Sequence, residues 1–342
     1  MKAIGIKTSL PISEAESFIA FETSTPTPER HDLLVRVKAV SVNPVDYKVR
    51  KNSAVDLDAP KILGWDAVGI VEAVGDQVSL FAPGDEVYYA GDITRPGSNA
   101  EFQLVDERIV GKKPTSLSNA EAAAMPLTSL TAWEAIFERL GIQRQKGEGQ
   151  SILIIGGAGG VGSIAIQMLK EMTQLEVIAT ASRDETRDWC LQLGADQVAN
   201  HHNLVEAVRD IGRRNVDYIL NFADTDGHWE AMAELIKPQG RICSIVENKN
   251  ELNMRAIRSK SVSFSWELMF TRAMYQTEDM VEQHHILNSV ADLLDQEIIK
   301  PTLNKTLIGM TVENFKEAHR ILESGKAIGK VVIVFDEGGK DS

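Results

Sequence analysis

The residue pattern with the most chemistry in it is Ile152-Leu153-Ile154-Ile155-Gly156-Gly157-Ala158-Gly159-Gly160-Val161-Gly162. It contains G-x-G-x-x-G at Gly157, Gly159 and Gly162, between an apolar run and a segment of helical periodicity. Glycine is what such a site requires. A phosphate-bearing ligand must come against backbone N–H groups at the positive end of a helix, where a Cβ would block the approach. Alone, the pattern also suits a plain turn. The strand before it, the helix after it and the continuing βαβα succession turn it into a dinucleotide-binding signal, with Gly157, Ala158, Gly159, Gly160, Val161 and Gly162 as the phosphate cradle.

The next strand bears on which dinucleotide. An acid about 20 residues on would accept from a ribose 2′-hydroxyl, whereas a 2′-phosphate is repelled by an acid and attracted by Arg or Ser. The strand ends Thr180-Ala181-Ser182-Arg183, without a carboxylate before Asp184 and with Arg187 one turn further. Ser182, Arg183 and Arg187 therefore point to NADPH over NADH. Phe222 and the pair Ser244-Ile245 stand at the carboxyl ends of later strands, where open α/β sheets bind ligands.

Two kinds of element must position these residues. Up to about residue 115 the chain reads as short strands, Leu33–Val42, Ala67–Val74, Glu86–Tyr89 and Ala100–Val105, with turns at Val74-Gly75-Asp76 and Pro83-Gly84-Asp85. The run Ser118–Leu140 reads as two helices broken at Pro126. Beyond Gly149, strands and helices alternate to Val246, which implies a parallel sheet with helices on both faces. A long amphipathic helix is expected over Gln276–Glu297 and another over Thr311–Ser324, followed by a strand at Val331–Phe335 that periodicity alone assigns to neither domain. The polar tail from Glu337 reads as mobile.

With 43% apolar and 25% charged residues over 342 positions, the composition is that of a soluble globular chain of about two domains. Thirty-six Lys+Arg against 49 Asp+Glu give a net charge of −13, which disfavours nucleic acid or an anionic membrane surface as partner. Two cysteines in apolar segments, no signal-peptide pattern and no long apolar run make a cytoplasmic protein the expectation.

Several segments together resemble the medium-chain dehydrogenase/reductase superfamily, in particular its zinc-independent quinone oxidoreductase (zeta-crystallin-like) branch. They are Ser41-Val42-Asn43-Pro44-Val45-Asp46, Gly64-Trp65-Asp66-Ala67-Val68-Gly69, Gly97-Ser98-Asn99-Ala100-Glu101, Leu127 to Trp133, the glycine loop, Leu193-Gly194-Ala195-Asp196 and Gly329-Lys330-Val331-Val332. The resemblance implies an α/β chain with a Rossmann doubly wound parallel sheet, residues 125–299, inserted into a GroES-like β domain made of residues 1–124 and 300–342. It implies a homodimer, and a small-molecule substrate bound in a cleft. Asn43 would donate to a carbonyl or enolate oxygen, Thr131 would contact the nicotinamide side, and Lys330 would reach the cofactor. Asp46 and Arg50, four apart, suggest an ion pair.

In the zinc-dependent relatives a Cys, a His and a Cys or Asp hold the catalytic ion at the positions that here carry Asn43, Trp65 and Leu127. None of these side chains is a useful Zn²⁺ ligand, so no metal is expected. Without a Lewis acid, oxidation of a simple alcohol loses its main electrostatic support. The expected reaction is hydride transfer from NADPH to a quinone or α,β-unsaturated carbonyl, where charge spreads over a conjugated system. The competing readings are a zinc-dependent alcohol dehydrogenase and a non-catalytic NADPH-binding redox sensor.

Overall fold

The computed structural model describes residues 1–53 and 57–335, so the polar tail lies outside the described residues. The chain divides into two compact units, Met1–Leu130 with the chain from Phe270 onward, and Thr131–Met269.

The first unit opens with β1 (Lys2–Ile6), β2 (Ile19–Glu22), β3 (Asp32–Val42), β4 (Lys61–Ile62), β5 (Asp66–Val74), β6 (Glu86–Tyr89), β7 (Phe102–Asp106) and β8 (Val110–Lys112). The second unit contributes β9 (Ser151–Ile155), β10 (Glu176–Thr180), β11 (Gln197–Ala199), β12 (Val216–Asn221), β13 (Ile236–Ser244) and β14 (Ser263–Trp266). The chain then returns to the first unit for β15 (Leu303–Ile308) and β16 (Lys330–Val334).

In the second unit the strand order is β11-β10-β9-β12-β13-β14, all pairs parallel. This is the doubly wound order that reverses beside the first strand and opens a crevice at the carboxyl ends there. Every residue of β9 is buried, as a strand covered on both faces must be. Ile178, Ile219 and Ile242 join Trp229 and Met232 in one core cluster, each buried aliphatic side chain stabilising by about 1.5–3 kcal/mol.

The first unit holds a sheet in the order β15-β16-β3-β5-β6-β8, with β7 also on β3, and a smaller sheet β2-β1-β4. The last strand, undecided by periodicity, belongs here: β16 pairs antiparallel with β3, Val331 opposite Val42. It is an inner strand, flanked by β15 on its other side.

The compact units divide at 130/131 and 269/270, beside the expected domain bounds of 124/125 and 299/300. The helix Glu282–Asp295 packs on β8 of the first unit, where the Leu287 carbonyl accepts from the Tyr88 hydroxyl at 2.6 Å and Asn288 Oδ1 accepts from the Lys112 N–H at 2.9 Å. Two sequence expectations are corrected. That helix does not begin at Gln276, because Gln276 takes a left-handed φ of 46° and ends a separate turn, Thr271–Tyr275. Asp46 and Arg50 do not pair: Asp46 accepts from the Asn43 N–H, while Arg50 donates to the Leu10 carbonyl and to Glu323.

Pro126 does separate two helices, Asn119–Ala123 and Pro126–Trp133, and the second runs on as a π-helical turn, Glu134–Arg139.

Candidate functional site

The phosphate loop of the second unit is built by β9 and the helix Gly160–Met172. The tight turn falls on Gly156, φ 89°, one residue before the motif begins, and its N–H donates to Thr180 Oγ1 at 2.9 Å. A Cβ at Gly162 would lie 2.3 Å from the Gly156 oxygen, so this glycine lets the helix close on the turn. A Cβ at Gly159 would find only the Gly156 oxygen, at 3.5 Å. The space above Gly159 is open, as a pyrophosphate against the helix N-terminus requires. A nicotinamide dinucleotide fits this cradle.

Ser182, Arg183 and Arg187 gather at the end of β10 and the start of the helix Asp184–Gln192. Ser182 and Arg187 are exposed, and Arg183 is half-buried in an ion pair of 2.7 Å with Glu185. Phe222 follows β12, its N–H bonded to the Ile155 carbonyl at 2.9 Å, which sets it beside Gly156. Ile245 is half-buried at the end of β13, donating its N–H to the Asn221 carbonyl.

Ser244 stands at the end of β13, as expected. It is fully buried, and its hydroxyl lies 3.0 Å from Asn221 Nδ2 and 2.7 Å from Thr225 Oγ1. Ser244 therefore ties together the two strand ends that carry Phe222 and Ile245. Asn221 and Thr225, which sequence reasoning passed over, complete that network; Asn221 is a polar residue at the end of an apolar strand, and Thr225 opens the helix Thr225–Leu235.

The first unit gathers a different constellation. Register sets Ser41 of β3 opposite Asp66 of β5, and Val42 opposite Val331 of β16, so Asn43, Asp66 and Lys330 meet at one end of three adjacent strands. Asn43 precedes the helix Pro44–Asn52, and its N–H donates to Asp46 Oδ2 at 2.5 Å. Lys330 Nζ donates to Asn43 Oδ1 at 2.5 Å, Asp66 Oδ2 at 3.1 Å and the Val42 carbonyl at 3.3 Å. An ammonium has three N–H donors, and three oxygens accept them here. A cofactor contact for Lys330 would break one of these bonds.

Asn43 Nδ2 donates to Asp66 Oδ2 at 3.1 Å and, more weakly, to the Ser41 carbonyl at 3.4 Å. The Leu127 N–H donates to Asp66 Oδ1 at 3.1 Å. All four polar residues are at most 3% exposed. Burial pushes Asp46 up to about 7 against the pull of the Asn43 N–H and Lys330. Asp66 is raised as well, by burial first, with Lys330 opposing.

Asp66 thus draws in two of the three positions at which zinc-dependent relatives hold their ion. They carry an amide in Asn43 and an isobutyl group in Leu127. The third, Trp65, is fully buried with its indole edge-on to Phe270 at 6.3 Å. Among the described residues no group of three His, Cys, Asp or Glu is arranged to hold a metal ion. The residues present do not fit Zn²⁺.

Thr131 lies in the helix Pro126–Trp133, four residues after Leu127, and is 5% exposed. Of the aromatic run near residue 266, Phe264 packs edge-on to Trp229 at 5.4 Å, whereas Trp266 is 44% exposed.

Residues 29–115 match the alcohol dehydrogenase GroES-like domain family and residues 193–333 the zinc-binding dehydrogenase family. A zinc-type alcohol dehydrogenase-like protein of Staphylococcus epidermidis is 45% identical over 336 residues, covering 97% of this chain and 99% of the relative. The chain is a medium-chain dehydrogenase/reductase of the zinc-type alcohol dehydrogenase-like group. A tomato (Solanum lycopersicum) 2-methylene-furan-3-one reductase is 30% identical over 335 residues, covering 95% of this chain and 76% of the relative. A Rhizobium etli protein of known crystal structure superposes with a TM-score of 0.93 at 49% identity, covering 98% of both chains. This medium-chain dehydrogenase/reductase is accordingly an oxidoreductase, and an NAD-dependent alcohol dehydrogenase of known structure superposes on it with a TM-score of 0.82 at 26% identity, covering 98% of this chain and 100% of that one.

Proposed function

We propose that the chain reduces a quinone or an α,β-unsaturated carbonyl with NADPH, without zinc. The observation that carries this reading is the buried cluster around Asp66, where Asn43, Trp65 and Leu127 stand in place of metal ligands and Lys330 closes the cluster with three hydrogen bonds. A substrate that spreads charge over a conjugated system needs no Lewis acid. The tomato relative's name, that of a methylene-furanone reductase, supports the same substrate class.

NADPH, when bound, supplies the hydride. The chain's own residues bind and orient. The loop 157–162 offers N–H groups and space to the pyrophosphate. Ser182, Arg183 and Arg187 hold the 2′-phosphate, Arg183 exchanging Glu185 for it. Phe222, Ile245 and Thr131 position the nicotinamide. Lys330 and Asp66 orient the Asn43 amide, whose long bond to Ser41 is the one a substrate oxygen takes over. The proton comes from water. The same reading includes a homodimer formed along β14, an edge strand with Trp266 and Leu268 exposed beside it.

The test follows loss of reduced-nicotinamide absorbance with NADPH and, separately, NADH, with chelator present, against quinones, enones, aldehydes and alcohols. Chelator-insensitive, NADPH-preferring turnover of a quinone or enone is expected. Activity confined to alcohols, or abolished by chelator, overturns the proposal in favour of a zinc enzyme; NADPH binding with no turnover leaves a redox sensor.

A further inference from the structure

Two helices of the second unit stand behind the residues read as anion ligands: Gly160–Met172 behind the glycine loop, and Asp184–Gln192 behind Ser182 and Arg183. A side-chain hydrogen bond joins them. Trp189 Nε1, on the second helix, donates to Ser163 Oγ, on the first, at 2.8 Å. An indole N–H only donates, so the single proton of the Ser163 hydroxyl goes elsewhere, to the Gly159 carbonyl at 2.8 Å. That carbonyl also accepts from the Ser163 N–H at 2.9 Å. Ser163 is fully buried and Trp189 half-buried. The bond therefore runs from the second helix, through a dry serine, to the loop glycine that faces open space.

A second contact lies one residue further along the same helix. A Cβ at Gly157 would stand 3.1 Å from Cys190 Sγ and 2.8 Å from Ala179 Cβ. Gly157 is not among the glycines with positive φ, so its missing side chain serves the approach of the helix Asp184–Gln192 and not an unusual backbone angle. Arg183 is in turn locked to the start of that helix. Its N–H donates to Thr186 Oγ1 at 3.2 Å, and Thr186 Oγ1 donates to the Arg183 carbonyl at 2.8 Å. Arg187 stands on the helix itself, two residues before Trp189.

A ligand with anionic groups at both places gains from a separation fixed in advance, whereas a ligand that uses one of them does not. We propose, on the reading that Ser182, Arg183 and Arg187 take the 2′-phosphate, that the Trp189–Ser163 bond fixes the separation between those residues and the pyrophosphate loop and so favours NADPH over NADH. Ser163 and Trp189 are positioning residues. They act through Gly159 on one side and through the helix of Arg187 on the other.

Calorimetric titration of the full chain with NADPH, NADH and adenosine 2′-monophosphate tests it. Trp189→Phe keeps an aromatic ring and removes the N–H. One neutral hydrogen bond corresponds to roughly a 2–12-fold change in Kd. NADPH is expected to bind that much more weakly to Trp189→Phe, while NADH and adenosine 2′-monophosphate, each using one of the two anionic subsites, change by less than about 2-fold. Ser163→Ala should also lower the preference for NADPH over NADH. The double variant should bind NADPH at most about 2-fold more weakly than the weaker single one, because both substitutions remove the same bond. A purely structural bond would lower the Tm of the unliganded chain and leave the NADPH/NADH preference where it was. An unchanged preference in the single variants, or losses that multiply in the double variant, overturns the proposal. Wild type that binds NADPH no more tightly than NADH overturns the 2′-phosphate reading itself, and the role of this bond with it.

Discussion

Asn43 shows how much a single side chain owes to its neighbours. Its type, an amide before Pro44, promises only a helix cap. Its bonds to Lys330 and Asp66 fix which end of the amide faces where, because the oxygen accepts from one and the nitrogen donates to the other. Asn43→Ala should lower kcat roughly 10²-fold, the usual loss for one oxyanion donor, while NADPH affinity changes little. Equal losses in kcat and cofactor affinity in steady-state and binding measurements would remove Asn43 from the chemistry. Arg183 differs in kind. Paired at the surface with Glu185, it stabilises the fold little, so Arg183→Ala should leave Tm unchanged. A charge-assisted bond to a 2′-phosphate is worth about 1.5–3 kcal/mol. NADPH should therefore bind roughly 10–100-fold more weakly and NADH almost as before, which titration with each cofactor would show.

At the scale of elements, the glycine loop works because a strand and a helix approach too closely for any side chain. Gly162→Ala places a methyl group 2.3 Å from the Gly156 oxygen and 2.6 Å from that of Gly157. The helix must shift, at a cost of about 1–3 kcal/mol. Gly162→Ala should lower both Tm and cofactor affinity, whereas Gly159→Ala, with open space around it, should lower affinity alone. Thermal melts with and without NADPH separate the two. The loop, β9 and the helix after it were legible in the sequence because local periodicity and glycine spacing encode them directly. The π-helical turn and the break at Gln276 were not. Neither has a local sequence signature, since the first continues an ordinary helical pattern and the second is a non-glycine residue held at positive φ.

For the molecule as a whole, one buried histidine sets a limit toward acid. His319 is fully buried between the helices Pro44–Asn52 and Val312–Glu323, edge-on to Phe18 at 4.8 Å, with no partner for either ring nitrogen among the described residues. Burial, then the charges of Arg50 and Lys51, hold it down to about 3. The unfolded chain takes that proton below about 6.5 and the folded one does not. Stability is therefore lost as pH falls from about 6.5 toward 3, by at most about 1.4 kcal/mol per pH unit. Asp46, raised to about 7, contributes a slope of the opposite sign over part of that range, so the difference between wild type and His319→Leu is the quantity to follow. Urea unfolding at pH 5 and pH 7 should show that His319→Leu gains stability relative to wild type at the lower pH; an identical pH dependence would show that His319 is not the group. Charge balance and the absence of metal-ligand side chains at positions 43, 65 and 127 are one-dimensional facts, and they bear on partner and chemistry without coordinates. So are the period of β9 and its neighbours and the spacing of the glycine loop, because each acts over a few residues. Tertiary structure alone decided that the last strand lies against β3, that Lys330 meets Asn43 and Asp66, and that Ser244 faces inward. These contacts join residues tens to hundreds of positions apart, and long-range packing, which local periodicity does not encode, selects them.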